Sequence, residues 1–160
     1  MRTALMILWA CFVFAALGSL VWQKEQTFAH GRTVLLKLAP RDPRSLMQGD
    51  YMALRYDLVR EVKLEKLPGK GRLILKLDGH NVATFVRVDD GTPLAADETR
   101  IAYRNRNGLL IGAESFFFQE GDAQIYGGAR FGELKVDAAG NTILLGLRGE
   151  KLEPLGKAWR

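Results

Sequence analysis

An all-β domain, a small antiparallel barrel or sandwich, carried on one N-terminal transmembrane helix, is the fold class this sequence predicts. Three observations lead there. Thr3 to Trp22 contains no charged residue. Beyond it, apolar and polar residues alternate with period two, the mark of strands with one buried face. Turn-forming clusters of Gly, Pro, Asp and Asn interrupt that alternation at short intervals, and many short strands closed by turns build barrels and sandwiches.

The apolar run comes first. Twenty residues at 1.5 Å each span about 30 Å, the thickness of a bilayer's hydrocarbon core. Trp22 sits at its end, where amphipathic rings favour the interface, and Lys24 and Glu25 follow. A cleaved leader would use Ala16-Leu17-Gly18, yet the apolar stretch continues past it to Val21 and Trp22. A lipoprotein site at Cys11 is disfavoured by the bulky Trp9 and the short apolar region before it. The run is read as a retained anchor in contact with lipid through residues 3–22. Arg2 and the terminal amine place the N-terminus in the cytoplasm and the domain outside. The expected division is an anchor at 1–24, a polar tether at 25–32, a β-domain at 33–148 and a loose charged tail at 149–160.

The domain reads strand by strand. Val34, Leu36 and Leu38 share one face before Pro40 and Pro43 break the run. Gly49-Asp50 makes a turn, and Met52, Leu54, Tyr56 and Leu58 mark the next strand. Val59 to Leu67 reads as a strand or an irregular crossing, ended by Pro68-Gly69-Lys70-Gly71. Leu73, Leu75 and Leu77 then turn at Asp78-Gly79-His80-Asn81 into Val82, Thr84, Val86 and Val88. Arg100 to Tyr103, Leu109 to Ile111 and Ser115 to Phe118 are short strands, and Asp122 to Arg130 is a short helical turn limited by Gly127-Gly128. A last hairpin pairs Leu134 and Val136 with Ile143, Leu145 and Leu147.

Composition narrows the function. The formal charge is +5, from 23 basic and 18 acidic residues of interspersed sign, a solvated surface rather than a nucleic-acid patch. The outward orientation also argues against nucleic acid. Cys11 is the lone cysteine and lies in the anchor, so the domain is expected to hold by packing alone. His30 and His80 stand apart with no second ligand at metal spacing, and no cofactor is expected. Asp89-Asp90-Gly91 and Glu120-Gly121-Asp122 offer paired carboxylates suited to a hard cation or to acid–base work. Asp and Gly are also ordinary turn formers, and the first pair is read as a turn. Glu120 follows Phe116-Phe117-Phe118 and is the better candidate for a partly buried acid.

The most distinctive stretch runs from Arg41 to Tyr56. A proline loop containing Asp42 and Arg44 leads to Gly49-Asp50, where the Asp50 side chain can bond its own backbone and fix the turn. Tyr51 and Tyr56 are an odd number of residues apart, so one faces the core and the other the surface.

With these residues in view, the chain resembles the GDYXXLXY family of bacterial membrane-anchored proteins. The naming string stands here as Gly49-Asp50-Tyr51, Leu54 and Tyr56, approached by Asp42-Pro43-Arg44. A second block, Glu114 to Gly121, is followed by a loop that fits Tyr126 and Ala129. The resemblance implies an anchored extracytoplasmic domain in a bacterial inner membrane, with a multi-pass membrane protein as partner. It implies binding roles for Asp42, Arg44, Gly49, Asp50, Tyr51, Leu54, Tyr56, Glu120 and Tyr126, and supplies no activity.

The chain is also similar to type I signal peptidases. Ser45-Leu46-Met47 before Gly49-Asp50 echoes their nucleophile block, and Gly121-Asp122 and Arg130 echo a later one. Where that family carries its lysine base, this sequence has Val86, which cannot take a proton from a serine. Lys63 or Lys76 would have to replace it. The expected function is a non-enzymatic binding or assembly module, with a serine hydrolase using Ser45 as the alternative, and a hydrolase using Glu120 and Asp122 ranked third.

Overall fold

The computed structural model describes residues 2–40, 51–62, 67–106, 108–119 and 121–156. The chain opens with helix α1 (Arg2–His30), which at 1.5 Å per residue is about 44 Å long. Its Met6–His30 portion is long and apolar enough to cross a membrane. The stretch expected as a tether is therefore helical through to His30. The reason lies far along the sequence. Thr27 is buried and donates to the Asp137 carboxylate at 3.1 Å, so the end of α1 docks on a distant hairpin turn.

Past α1 the fold is mostly antiparallel β, as predicted. One sheet runs in the order β1 (Arg32–Lys37), β8 (Phe131–Val136), β9 (Thr142–Arg148) and β10 (Pro154–Leu155). A second runs β4 (Ala83–Val88), β3 (Lys70–Leu77), β5 (Glu98–Asn105) and β6 (Leu109–Leu110). A short ribbon joins β2 (Tyr51–Ala53) to β7 (Ser115–Phe117). The sheets are stitched to one another. The Leu35 amide donates to the Asn81 carbonyl at 2.8 Å, and Leu35 bridges Val82 in parallel. On another side, the Thr142 hydroxyl donates to the Ile111 carbonyl at 2.6 Å, and the Ala102 amide to the Gly140 carbonyl at 2.8 Å. Between the sheets, Val34, Leu36, Leu73, Leu75, Ile101, Leu134, Val136 and Leu147 form a closed apolar core. Burying side chains of this size contributes about 1.5–3 kcal/mol each.

Several local expectations change. The strand expected over Met52 to Leu58 ends at Ala53, and the Tyr56 backbone pairs with Leu38 in an isolated bridge. Val59 to Leu67, read as strand or crossing, begins instead as the helical turn α2 (Leu58–Glu61). In β4 the inward positions are Ala83 and Phe85, while Val86 and Val88 are exposed. The register explains the reversal: Leu75 pairs with Phe85 and Leu77 with Ala83, and cross-strand partners share a face. The stretch expected as a loose tail supplies β10. There Arg148 makes a two-pronged ion pair with Glu133, at 2.8 and 2.9 Å, and also donates to the Leu152 carbonyl at 2.7 Å.

Candidate functional site

The ribbon β2–β7 organises the distinctive tyrosine segment. Tyr51 pairs with Phe117, Met52 with Phe116 and Ala53 with Ser115. Alternation turns Met52 and Phe116 into the core, and leaves Tyr51 and Phe117 side by side on the surface with ring centroids 5.9 Å apart. Tyr51 is 46% exposed and Tyr56 only 4%, so the opposite placement expected for the two rings is present. The Leu54 amide donates to the Glu114 carbonyl, holding the chain against the entry to β7 as it turns inward.

Tyr56 is a building residue. Its hydroxyl donates to the Ala113 carbonyl at 2.6 Å. Burial, helped by the negative charge of Glu114, pushes that hydroxyl far above the ordinary tyrosine range. A group held protonated this firmly is no base at neutral pH. Its ring lies over Gly132 of β8, where an added Cβ would meet a ring carbon at 3.1 Å and the hydroxyl oxygen at 3.3 Å. The glycine thus opens the space that Tyr56 fills.

Helix α3 (Ala123–Tyr126), in the segment predicted to turn helically, presents Tyr126 to the same region. Its ring meets Phe116 edge-on at 4.9 Å and Phe118 at 5.4 Å. Burial raises the Tyr126 hydroxyl's pKa, and Asp122 adds to the shift.

Between these elements and β1 lies an open groove of about 670 Å³. Leu38, Pro40, Met52, Leu54, Tyr126 and Phe131 give it apolar lining. Among the described residues, Lys37, Arg55 and Arg130 line it with positive charge and Glu150 with negative, Lys37 lying 3.9 Å from the Asp57 carboxylate. Such a site suits an apolar segment carrying negative charge. The GDYXXLXY protein family model matches residues 13–147, most of the chain, and both tyrosine blocks fall inside that match. The chain belongs to the GDYXXLXY family. Neither the curated proteins nor the solved structures contain a match.

In this GDYXXLXY protein the structure brings Leu54 and Tyr126 to the groove, sets Tyr51 beside it on β2, and sends Tyr56 to the core. Asp42, Arg44, Ser45, Gly49, Asp50, Lys63 and Glu120 lie outside the described residues. Asp122 lies at the start of α3, its amide bonded to the Gln119 carbonyl. Asp89 and Asp90 form a turn: each carboxylate accepts a backbone amide two residues on, and Asp90 also accepts the Thr92 hydroxyl at 2.6 Å. His80 is exposed in its turn, with its amide bonded to Asp78. Lys76 is paired with Asp97 at 3.3 Å, and Val86 faces solvent on β4. Among the described residues, no three His, Cys, Asp or Glu side chains are grouped as metal ligands.

Sequence reasoning overlooks Arg55, Phe117 and Phe131 as site residues. Phe117 was within reach, because pairing the tyrosine strand with the Phe116-Phe117-Phe118 run places one phenylalanine beside Tyr51. Arg55 and Phe131 gain their positions from the fold around them, which no local pattern encodes.

Proposed function

We propose that this protein is a single-pass membrane-anchored β-domain on the extracytoplasmic face of a bacterial inner membrane, and a non-enzymatic binding or assembly module of a membrane complex. The observation that carries the reading is the convergence on one groove of Leu54 from the naming string with Tyr126 and Ala129 from the loop that follows the second block. Much of the lining is apolar, its cations outnumber its acid among the described residues, and the exposed Tyr51–Phe117 pair extends the surface. Aromatic and arginine side chains grouped in this way are the usual anchors of protein contacts. A multi-pass membrane protein presenting an apolar, acidic segment fits this surface, and α1 keeps the module next to it.

The test is purification of the tagged full-length protein from its own membranes in mild detergent. A defined complex, lost on Arg130→Glu and on Ala53→Asp while the domain still folds, is the expected result. Recovery of a lone monomer would refute the assembly role.

A further inference from the structure

A second site lies where α1 meets the domain, and no family block points to it. Leu20, Val21, Lys24, Glu25, Phe28 and Ala29 fall at i, i+4 spacing on one stripe of α1, and together with Ile143 of β9 they border an apolar groove. The groove rises about 14 Å along the helix, from inside the expected bilayer span to above its edge. Lys24 also lines a separate polar cleft of about 850 Å³ on the domain, with Lys70, Arg72 and Arg104. One side chain, two residues beyond the interfacial Trp22, therefore joins an apolar slot to a basic one.

The cleft's charges are unbalanced. Among the described residues its acids are Asp89 and Glu114, and both are engaged locally: Asp89 accepts the Gly91 amide, and Glu114 accepts the Ile111 and Gly112 amides. Arg72 donates Nε to the Ala139 carbonyl at 3.0 Å. Lys24, Lys70 and Arg104 have no acidic partner among the described residues. Tyr103 also lines the cleft, is 3% exposed, and its hydroxyl is buried with no hydrogen-bond partner among the described residues. Buried polar atoms are rarely left unpaired, so an orphan hydroxyl on a residue lining a basic cleft points to an absent acceptor.

We propose that this junction binds an anionic phospholipid from the leaflet on the domain's side, with an acyl chain along α1 against Ile143 and the phosphate held by Lys24, Lys70 and Arg104. The Tyr103 hydroxyl is the neutral donor of the set. A phosphate group without a lipid tail would satisfy the cleft and leave the apolar groove unused, whereas a phospholipid occupies both at once. The inference rests on α1 spanning the membrane.

The experiment places the full-length protein in nanodiscs of phosphatidylcholine containing about one-third phosphatidylglycerol, and counts retained lipids by native mass spectrometry. The expected result is selective retention of phosphatidylglycerol, reduced about tenfold or more by Lys70→Gln with Arg104→Gln, and reduced also by Ile143→Asp. Tyr103→Phe, which keeps the ring, should give a smaller loss. Equal retention by wild type and the Lys70/Arg104 variant would overturn the site. Retention that millimolar inorganic phosphate abolishes, with no effect of Ile143→Asp, would overturn the lipid in favour of a soluble phosphate. A chain that fails to enter nanodiscs would overturn the membrane-spanning reading itself, an outcome distinct from insertion without lipid selectivity.

Discussion

Replacing Tyr56 by phenylalanine removes one oxygen and little volume, so its effect isolates a single hydrogen bond. Tyr56 is 4% exposed and its hydroxyl donates at 2.6 Å to the carbonyl of Ala113, a residue also 4% exposed. Phenylalanine would leave that carbonyl buried without this donor, at a cost of about 1–3 kcal/mol. For a domain of this size that lowers the melting temperature by about 4–12 °C. Thermal unfolding of the detergent-solubilised protein, followed by circular dichroism, reads the shift. The pH dependence supplies an independent check. In the unfolded chain a tyrosine ionises near pH ~10, whereas folded Tyr56 stays protonated well above that. The folded state then holds more protons than the unfolded one, so the stability from Tyr56 is complete below pH ~10 and falls as pH rises beyond it. Phenylalanine carries no such loss, and the two melting temperatures should converge at high pH. A variant that melts within a degree of wild type at neutral pH would refute this role for Tyr56.

Three further outcomes follow from the same structure. Gly140 has φ +92° and a Cβ there would meet the Ala102 amide nitrogen at 2.9 Å, so Gly140→Ala should destabilise by about 2–3 kcal/mol in denaturant unfolding. Arg148→Met removes the paired bonds to Glu133 and the bond to the Leu152 carbonyl; the pair is partly solvated, so a loss of about 1 kcal/mol is expected, with faster amide exchange in β10. Thr27→Val should raise amide exchange over residues 23–31 by uncoupling α1 from Asp137. Burial alone would raise the Asp137 pKa, but hydrogen bonds from Asn141, Thr27 and Ala139 outweigh it and hold the carboxylate below its ordinary range. This contribution is therefore present above the ordinary carboxylate range and is lost as pH falls through the depressed folded value. The Thr27→Val effect should shrink in acid.

Much of the fold was legible because local signals carried it. The leucine alternation in β3, the Asp78 to Asn81 turn and the hairpin around Asp137 to Asn141 each depend on neighbours in sequence. What escaped depended on distant ones. Residues 25–30 look like a polar tether, yet Thr27 finds Asp137 across 110 positions and the helix continues. The tail looks loose until Pro154 and Leu155 pair with β9 and Arg148 donates to the Leu152 carbonyl. In β4 two valines suggest one inward face, but the pairing of Leu75 with Phe85 selects the other. The site divides in the same way. The tyrosine string was visible as a string, and the odd spacing of Tyr51 and Tyr56 foretold their separation. The groove beneath it is tertiary, because Leu38, Arg55 and the stretch holding Tyr126 and Phe131 come from three separate parts of the chain.

The proposal that the groove is a docking surface is tested most directly by photo-crosslinking in native membranes. A photoreactive residue at exposed Ala53, inside the groove, is compared with one at exposed Asp90, in the turn after β4. A discrete cross-linked partner from position 53 that is absent from position 90, and lost when Arg130→Glu is added, is the result expected. Equal labelling from both positions, or none from position 53, would contradict it.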